Sequence, residues 1–260
     1  QIRAKIKGPD NTKVKLKILS GKTTKELVIT RSNVAVSSVD AAYQIKPGVG
    51  YIRINKFADR TYETFMQALE PLIKDSIKSL VIDLRGNGGG LLSEAVAIAD
   101  ELIPGNKLLV YTQGTNSPKT EYNSKREGLF EEGAITVWMD ESSASASEVL
   151  AGALQDWDRA TIIGRRSFGK GLVQQQYRLS NGGAVRITTA KYFTPLGRNI
   201  QRPYDQGKLA YEHDFMNRIQ EDARGKQDTA AKGKAYKTPK GHLVYGGGGI
   251  YPDKWIKPNS

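Results

Sequence analysis

A serine and a lysine in the stretch from Asp140 to Gln174 are of the residue types that serve as nucleophile and general base. Ser145 stands in the run SSASASEVLAGALQDW, and Lys170 stands between two glycines in the run SFGKGLVQ. A serine hydroxyl attacks an acyl carbon when a neighbouring base takes its proton, and an uncharged lysine amine is such a base. We therefore predict that Ser145 is a nucleophile and that Lys170 is its general base.

Ser145 precedes a pattern typical of an amphipathic helix with one buried stripe. The apolar positions of that stripe are Ala146, Val149, Leu150, Ala153, Leu154 and Trp157. Ser145 followed by Glu148 fits a capping box, so a purely structural N-cap is the alternative interpretation of this serine. The catalytic interpretation uses the same position, because the free N–H of Ala146 at the helix start would stabilise an oxyanion.

Lys170 lies among apolar neighbours, Phe168, Leu172 and Val173. Burial disfavours a charged amine, and this is what a lysine needs in order to act as a base. In extended backbone, alternate side chains face the same way, so Gln174 is predicted to orient the Lys170 amine. The alternative is a solvated surface lysine. Only the presence of the other motifs favours the catalytic interpretation over this alternative.

A glycine-rich turn, Asp83 to Gly90, follows a buried strand and precedes a helix. Its backbone N–H groups are candidates for an anion-binding nest. In open α/β sheets, ligands bind beyond the carboxyl ends of the strands, where this turn falls. A tight turn with no chemical role is the open alternative.

Other catalytic patterns fit the sequence less well. The run 164–170 approaches a phosphate-binding loop, but Gly171 replaces the serine or threonine and a strand follows. Ser167 and Lys170 spell S-x-x-K, yet the adjacent glycines oppose the helix that this motif needs. The two histidines, His213 and His242, lie in the polar carboxy-terminal region, and no nucleophile-elbow motif supports a triad with them.

The elements around these motifs alternate between strand and helix from about residue 43 onward. Strand patterns cover 48–57, 79–86, 107–111, 134–139 and 160–164, and helix patterns cover 62–74, where Pro71 could end the helix early, and 91–102. A hairpin over 172–179 and 184–193 and a helix over 211–224 follow. This alternation predicts an α/β core with right-handed crossovers.

The composition restricts the partners and the setting. The formal net charge is +12, but lysines 13, 15 and 17 alternate with apolar residues as on a solvated strand, and no recognition motif accompanies the charge. We therefore expect no nucleic-acid partner. The chain has no cysteine, which fits an envelope or secreted protein. It opens QIRAKIKG, without a methionine or a signal pattern, and we interpret it as a processed protein or a fragment of one. No apolar run is long enough to span a membrane.

Three blocks of the sequence together resemble the carboxy-terminal processing (tail-specific) serine peptidases of the S41 type. They are LVIDLRGNGGG at 80–90, SASASEVLAGALQDW at 143–157 and GRRSFGKGLVQ at 164–174. The resemblance extends from about Val34 to Ile200 and more loosely to YGGGGIYPD near the end. It does not cover the polar region at about 205–240, which we predict to be peripheral.

The resemblance implies roles for individual residues. Ser145 is the nucleophile, Lys170 the base and Gln174 its partner, while the oxyanion hole is formed by Ala146 with Gly88 or Gly89. No cofactor and no metal are implied. The implied fold is a ClpP/crotonase-like α/β core over 33–260, with residues 1–32 as the carboxy-terminal remnant of a PDZ domain. The part of that domain that captures a substrate carboxylate is missing from this sequence.

The expected function is therefore that of a serine endopeptidase that cleaves unfolded or C-terminally recognised proteins through an acyl-enzyme. We expect protein or peptide substrates and an extracytoplasmic location in the periplasm or cell envelope. Peripheral membrane association and oligomer formation are compatible with this function. The alternative is a catalytically silent protein-binding or scaffold relative with the same fold. The intact set of serine, lysine and glutamine favours the enzyme.

Overall fold

The computed structural model describes residues 2–32, 37–226 and 233–258. The chain divides into two compact units, Gln1–Ser37 and Ser38–Ser260. The predicted domain boundary after residue 32 and the predicted start of the family resemblance at Val34 meet residues 33–36, which lie outside the described residues.

The first unit consists of a short helix and one hairpin. Helix α1 (Ile2–Ile6) is followed by strands β1 (Lys13–Ser20) and β2 (Thr23–Thr30), which pair antiparallel with Lys13 opposite Thr30. The predicted alternation is visible at Val14 and Leu16, which are half-buried between exposed lysines. Two strands and a short helix bury too little to form a core by themselves. The assignment of this unit to a PDZ domain stays a prediction.

The second unit contains the remaining elements. In chain order they are β3 (Val39–Lys46), β4 (Val49–Ile54), α2 (Thr61–Lys74), β5 (Ser79–Asp83), α3 (Leu92–Asp100), β6 (Leu108–Gly114), β7 (Ser117–Asn123), β8 (Ala134–Met139), α4 (Ala146–Asp156), β9 (Ala160–Gly164), β10 (Leu172–Arg178), β11 (Ala184–Phe193), α5 (Gly207–Ala223), β12 (Ala235–Lys237), β13 (Leu243–Tyr245) and β14 (Lys254–Trp255). This is the mixed α/β architecture that the sequence predicts.

A six-stranded sheet in the order β14-β9-β8-β5-β4-β3 forms the centre of this unit. All neighbouring strands from β14 to β4 run parallel, and β3 adds an antiparallel edge. The parallel strands are apolar because helices cover them, and β5 is buried along nearly its whole length. Since the strands are parallel, the loops that follow β5, β8 and β9 leave the sheet at the same edge.

A second sheet, in the order β10-β11-β6-β7, is antiparallel throughout. The predicted hairpin of β10 and β11 is present. Strand β7 was not predicted, because its sequence is polar and lacks an apolar alternation. The pairing of β11 with β6 is confined to three positions, from Lys191 to Phe193, so most of the β10–β11 hairpin extends beyond the end of β6.

Helix α2 agrees with the predicted range 62–74, whereas helix α4 differs from the sequence-based expectation. Helix α2 continues past Pro71 to Lys74, because a proline in the last turn removes few helical hydrogen bonds. Helix α4 was expected to be amphipathic but is buried on every side, including Ser147, Gln155 and Asp156. Its polar residues are accommodated by specific partners: Asp156 pairs with the buried Arg198 at 2.6 Å, and Gln155 Nε2 donates to the Tyr251 carbonyl at 2.9 Å.

The polar region predicted to be peripheral at 205–240 is not peripheral throughout. Within it, α5 has buried residues, Arg218 and Asp222, and contacts the loop that carries Lys170. Residues 227–232 of this region lie outside the described residues. No helix in the described ranges has the length and apolar content that crossing a membrane requires.

Candidate active site

Three loops meet at the carboxyl edge of the central sheet. Residues 84–90 follow β5, residues 140–145 follow β8, and residues 165–171 follow β9. The loops are joined to one another by backbone hydrogen bonds: Ala144 N–H donates to the Asn87 carbonyl at 2.9 Å, and Phe168 N–H donates to the Ser143 carbonyl at 2.9 Å. The parallel sheet thus brings the three sequence motifs together, although they are far apart in the chain.

Ser145 occupies the turn between β8 and α4 in an unusual backbone conformation. Its φ is 57° and its ψ is −115°, a left-handed region that serine rarely adopts. The residue is 8% exposed and directly precedes the first residue of α4. Strain of this kind persists only where surrounding contacts hold it, and it is concentrated at functional sites.

The Glu148 carboxylate connects the serine turn to the lysine loop. Its Oε2 accepts the backbone N–H of Ser145 at 2.7 Å and that of Lys170 at 2.9 Å. Its Oε1 accepts the Gly169 N–H at 2.7 Å and the Ser167 hydroxyl at 2.5 Å. The capping interaction predicted from the sequence therefore exists between Glu148 and Ser145, but the same carboxylate also organises the segment around Lys170.

Glu148 is fully buried in this position. Burial raises the pKa of Glu148, and the hydrogen bonds from Ser167 and from the N–H groups of Lys170, Ser145 and Gly169 oppose that rise. All four contacts are with groups that can donate, and an ionised carboxylate accepts all of them at once. Hydrogen bonds from the two loops thus replace water around the Glu148 carboxylate, and the carboxylate in turn joins the loops.

The glycine turn contacts the serine turn directly. A Cβ added at Gly89, where φ is +92°, would lie 2.5 Å from the Ala144 carbonyl oxygen and 2.7 Å from Ser145 Cβ. No side chain fits there, so glycine permits a close approach of the two backbones. The buried Asn87 fixes the turn, because its Nδ2 donates to the Ile54 carbonyl at 2.8 Å while its backbone carbonyl accepts the Ser147 hydroxyl at 2.9 Å.

The three candidate oxyanion donors differ in their hydrogen bonding. The Gly89 N–H donates to Asn87 Oδ1 at 2.9 Å and is therefore engaged. For the N–H groups of Gly88 and Ala146, no acceptor is found among residues 2–32, 37–226 and 233–258. These two N–H groups match an oxyanion hole better than the Gly89 N–H does.

Lys170 is half-buried, next to the buried Gly169 and Gly171. Within the described part of the chain its side-chain amine makes no ion pair and no hydrogen bond, and only its backbone N–H is bonded, to Glu148. Gln174 is exposed on β10, at an irregularity in the strand pairing where Val173 lies opposite Ala190 and Gln174 lies opposite Thr188. No hydrogen bond joins the Gln174 amide to Lys170, and the predicted orienting role stays a prediction.

A buried polar cluster lies beside the glycine turn. Asp83 is fully buried and accepts hydrogen bonds from the Tyr51 hydroxyl at 2.7 Å and from Arg85 Nε at 2.9 Å. Burial raises the pKa of Asp83, but the hydrogen bonds from Arg85 and Tyr51 outweigh that effect and hold it below its usual range. Burial and the same carboxylate raise the pKa of Tyr51 to about 12.

Sequence reasoning missed two residues of the site. Glu148 was interpreted as a helix cap, although its position three residues after the serine was visible. Asn87 was counted within the glycine run, although a buried asparagine between two candidate loops supplies both a donor and an acceptor. A large cavity lined by Asp158, Lys240 and His242 lies at the opposite, amino-terminal edge of β8 and β9 and contains neither Ser145 nor Lys170.

Comparison with known proteins adds independent observations. The family described as "Peptidase family S41" matches residues 48–206. The carboxyl-terminal-processing protease of Synechocystis is 38% identical over 204 residues, which cover 76% of this chain and 47% of that protein. A "Probable CtpA-like serine protease" of Staphylococcus haemolyticus is 37% identical over 203 residues, covering 77% of this chain and 40% of that protein.

A solved structure is similar as well. The photosystem II D1 C-terminal processing protease superposes with a TM-score of 0.57 at 34% identity, covering 75% of this chain and 54% of that chain. The present chain thus spans about half the length of these relatives.

Proposed function

Because the chain belongs to peptidase family S41, we propose that it is the catalytic part of a serine endopeptidase with a Ser145/Lys170 dyad. The observation that carries the proposal is the shared contact of both residues with Glu148. Their backbone N–H groups donate to the same oxygen atom, which holds the serine turn and the lysine loop side by side.

In the first half of the reaction, the uncharged Lys170 amine takes the proton of the Ser145 hydroxyl. The Ser145 oxygen then forms a bond to the carbonyl carbon of the scissile peptide, and the carbonyl oxygen becomes an oxyanion. When this tetrahedral intermediate collapses, the carbon–nitrogen bond breaks and the Lys170 ammonium gives its proton to the leaving amine. The amino-terminal part of the substrate remains as an ester on Ser145.

In the second half, the Lys170 amine takes a proton from a water molecule that attacks the ester carbon. Collapse of the second tetrahedral intermediate breaks the bond to the Ser145 oxygen, which takes the proton back from Lys170. A carboxylic acid product leaves, and both residues return to their starting protonation states.

The oxyanion of both intermediates is stabilised by the N–H groups of Ala146 and Gly88. Both lack an acceptor within the described chain, and Ala146 lies at the positive end of α4. Preorganised N–H donors of this kind lower the barrier because they need not reorient as charge develops. Asn87 keeps the Gly88 peptide in place, because its side chain donates to the Ile54 carbonyl and accepts the Gly89 N–H.

The substrates that we propose are proteins or peptides in an unfolded or C-terminally exposed state, cleaved outside the cytoplasm. The substrate class is supported by two of the relatives, which are a carboxyl-terminal-processing protease and a photosystem II D1 C-terminal processing protease. Peripheral association with a membrane and oligomer formation are part of the same proposal. The chemistry needs no metal and no cofactor, because proton transfer and acyl transfer are carried out by side chains and backbone.

The test is cleavage of an unfolded protein such as casein by the full-length protein, followed by gel electrophoresis and mass spectrometry. We expect cleavage by the wild type, none by Ser145→Ala or Lys170→Ala, and labelling of Ser145 by a fluorophosphonate. Full proteolysis in either variant would refute the dyad. A wild type that is folded, yet neither cleaves nor is labelled, would favour the scaffold alternative.

A further inference from the structure

Arg202 is a buried cation that the mechanism does not use. Its residue exposure is 1%, and its guanidinium carbon lies over three aromatic rings. The distances to the ring centroids are 3.9 Å for Tyr211, 4.7 Å for Phe168 and 5.0 Å for Phe215. We call these three rings the Arg202 cage. Two of them belong to α5, and the third belongs to the loop that carries Lys170.

The backbone at Arg202 is attached to that loop through a group that Glu148 does not bind. The Arg202 N–H donates to the Gly169 carbonyl at 3.0 Å, and the neighbouring Gln201 Oε1 accepts the Gly171 N–H at 2.9 Å. A Cβ at Gly169, where φ is +86°, would lie 2.5 Å from Arg202 Cγ. Lys170 is therefore flanked on both sides by residues bonded to 201 and 202, while its own N–H is bonded to Glu148.

Helix α5 completes the attachment. Arg202 Nη1 donates to the Tyr211 carbonyl at 3.2 Å and pairs with Asp214 Oδ2 at 3.1 Å, both on α5. The ring of Phe168 lies 5.0 Å from that of Phe215. Because the Asp214 side chain is half exposed, the rings supply much of the favourable environment that a buried cation needs. The guanidinium thus joins α5 to the lysine loop.

We propose that Arg202 is a positioning residue for Lys170, and that α5 with the Arg202 cage holds the 166–171 loop against Glu148 and the serine turn. Glu148 binds the N–H groups of Gly169 and Lys170, and residues 201 and 202 bind the Gly169 carbonyl and the Gly171 N–H. Loss of the contacts with 201 and 202 lets the loop move away, which separates the Lys170 amine from the Ser145 hydroxyl without removing either group. This inference rests on the proposed function for its catalytic consequence, but its structural content is independent of it.

The structural content is tested by hydrogen–deuterium exchange of the full-length protein, read in peptides that cover 166–173. Arg202→Met keeps the apolar stem and removes the cation, and Arg202→Lys keeps the charge and removes the planar group that stacks in the cage. In Arg202→Met, we expect exchange at Gly169, Lys170 and Gly171 to accelerate about tenfold while exchange in β5 and β8 stays at the wild-type rate. Arg202→Lys should show a smaller acceleration.

The catalytic consequence is tested with the same variants on a peptide substrate. We expect kcat to fall about tenfold in Arg202→Met with KM within about twofold of the wild type, and partial recovery in Arg202→Lys. Arg224→Met is the matched control, because the exposed Arg224 follows α5 and pairs with the half-buried Glu221 at 2.8 Å. It should keep wild-type exchange and kcat. Phe215→Leu opens the cage from α5 and should reproduce the exchange result if an Arg202 variant does not fold.

Wild-type exchange at 166–173 in both Arg202→Met and Phe215→Leu overturns the proposal. Acceleration that is equal in the loop and in β5 and β8 also overturns it, because it marks a general loss of stability. If the wild type has no peptidase activity, the proposed function fails, and the exchange experiment alone decides whether α5 holds the loop.

Discussion

The backbone N–H groups of Ser145 and Lys170 donate to a single atom, Oε2 of Glu148, at 2.7 Å and 2.9 Å. The two residues are separated by a helix and a strand in the chain, so only the tertiary structure makes them neighbours. A buried carboxylate with four donors is costly to disturb, because each donor that loses its acceptor remains buried. Glu148 is thus the point at which the stability of the fold and the geometry of the proposed site coincide.

Glu148→Gln should lower both stability and activity. A glutamine side chain has one acceptor oxygen in place of two, and its NH₂ group would face a backbone N–H in either orientation. We expect a loss of about 1–3 kcal/mol in the free energy of unfolding, measured by urea denaturation. The rate of peptide cleavage should fall at least about tenfold through misplacement of Lys170.

The control for this change is Glu63→Gln on α2, where the exposed carboxylate pairs with the exposed Arg60. Its effect should stay within about 0.5 kcal/mol. Equal stability losses in the two variants would contradict the role assigned to Glu148.

Gly89→Ala should be far more damaging than Gly86→Ala. Both glycines have positive φ, +92° at Gly89 and +73° at Gly86, so an alanine is strained at either position by about 1–2 kcal/mol. Only at Gly89 would the new methyl group also meet the backbone of Ala144 and Ser145, whereas nothing lies within 4 Å at Gly86. Fluorophosphonate labelling of Ser145 should therefore slow in Gly89→Ala and persist in Gly86→Ala. Similar labelling rates would show that the close approach does not matter.

Lys170→Arg should abolish cleavage while leaving the fold intact. A guanidinium keeps the positive charge and much of the length of the side chain, but it does not lose its proton in proteins and cannot act as the base. We expect cleavage to fall by more than about a hundredfold, with an unchanged midpoint of thermal unfolding. Lys74→Arg at the exposed end of α2 is the control and should retain full activity. A catalytically competent Lys170→Arg protein would exclude general-base chemistry at this position.

Asp83 should make stability depend on pH on the acidic side. Its pKa lies below the usual range in the folded protein, because the Arg85 and Tyr51 hydrogen bonds outweigh the effect of burial. Below about pH 4 the unfolded chain binds a proton at Asp83 that the folded protein does not, so stability falls as the pH is lowered through the folded-state pKa. The free energy of unfolding, measured by urea denaturation between about pH 5 and about pH 3, should fall less steeply with decreasing pH for Asp83→Asn than for the wild type. Tyr51→Phe, which removes one hydrogen bond to Asp83, should be intermediate.

The sequence by itself determined the α/β class, the family and the candidate residues of the site. Apolar runs such as that of β5 indicate burial on both faces of the strand. This signal lies in consecutive residues, so the strands and the crossover helices between them were predictable from the sequence. The three motifs were recognisable from their residue types, their order and their spacing in the chain. That a serine at a helix start and a lysine between glycines belong to one chemistry was predicted from the residue types, and the resemblance implied the same roles.

Only the tertiary structure decided how those residues are held. The role of Glu148 depends on where the 165–171 loop returns, and the burial of α4 on every side depends on what packs against its polar residues. The region around α5 looked peripheral because its sequence is polar, yet Arg202 is buried among rings from α5 and from the 165–171 loop. Hydrogen bonds and cation–π contacts between residues far apart in the chain leave no periodic signal in the sequence, so their partners become visible only once the chain is folded.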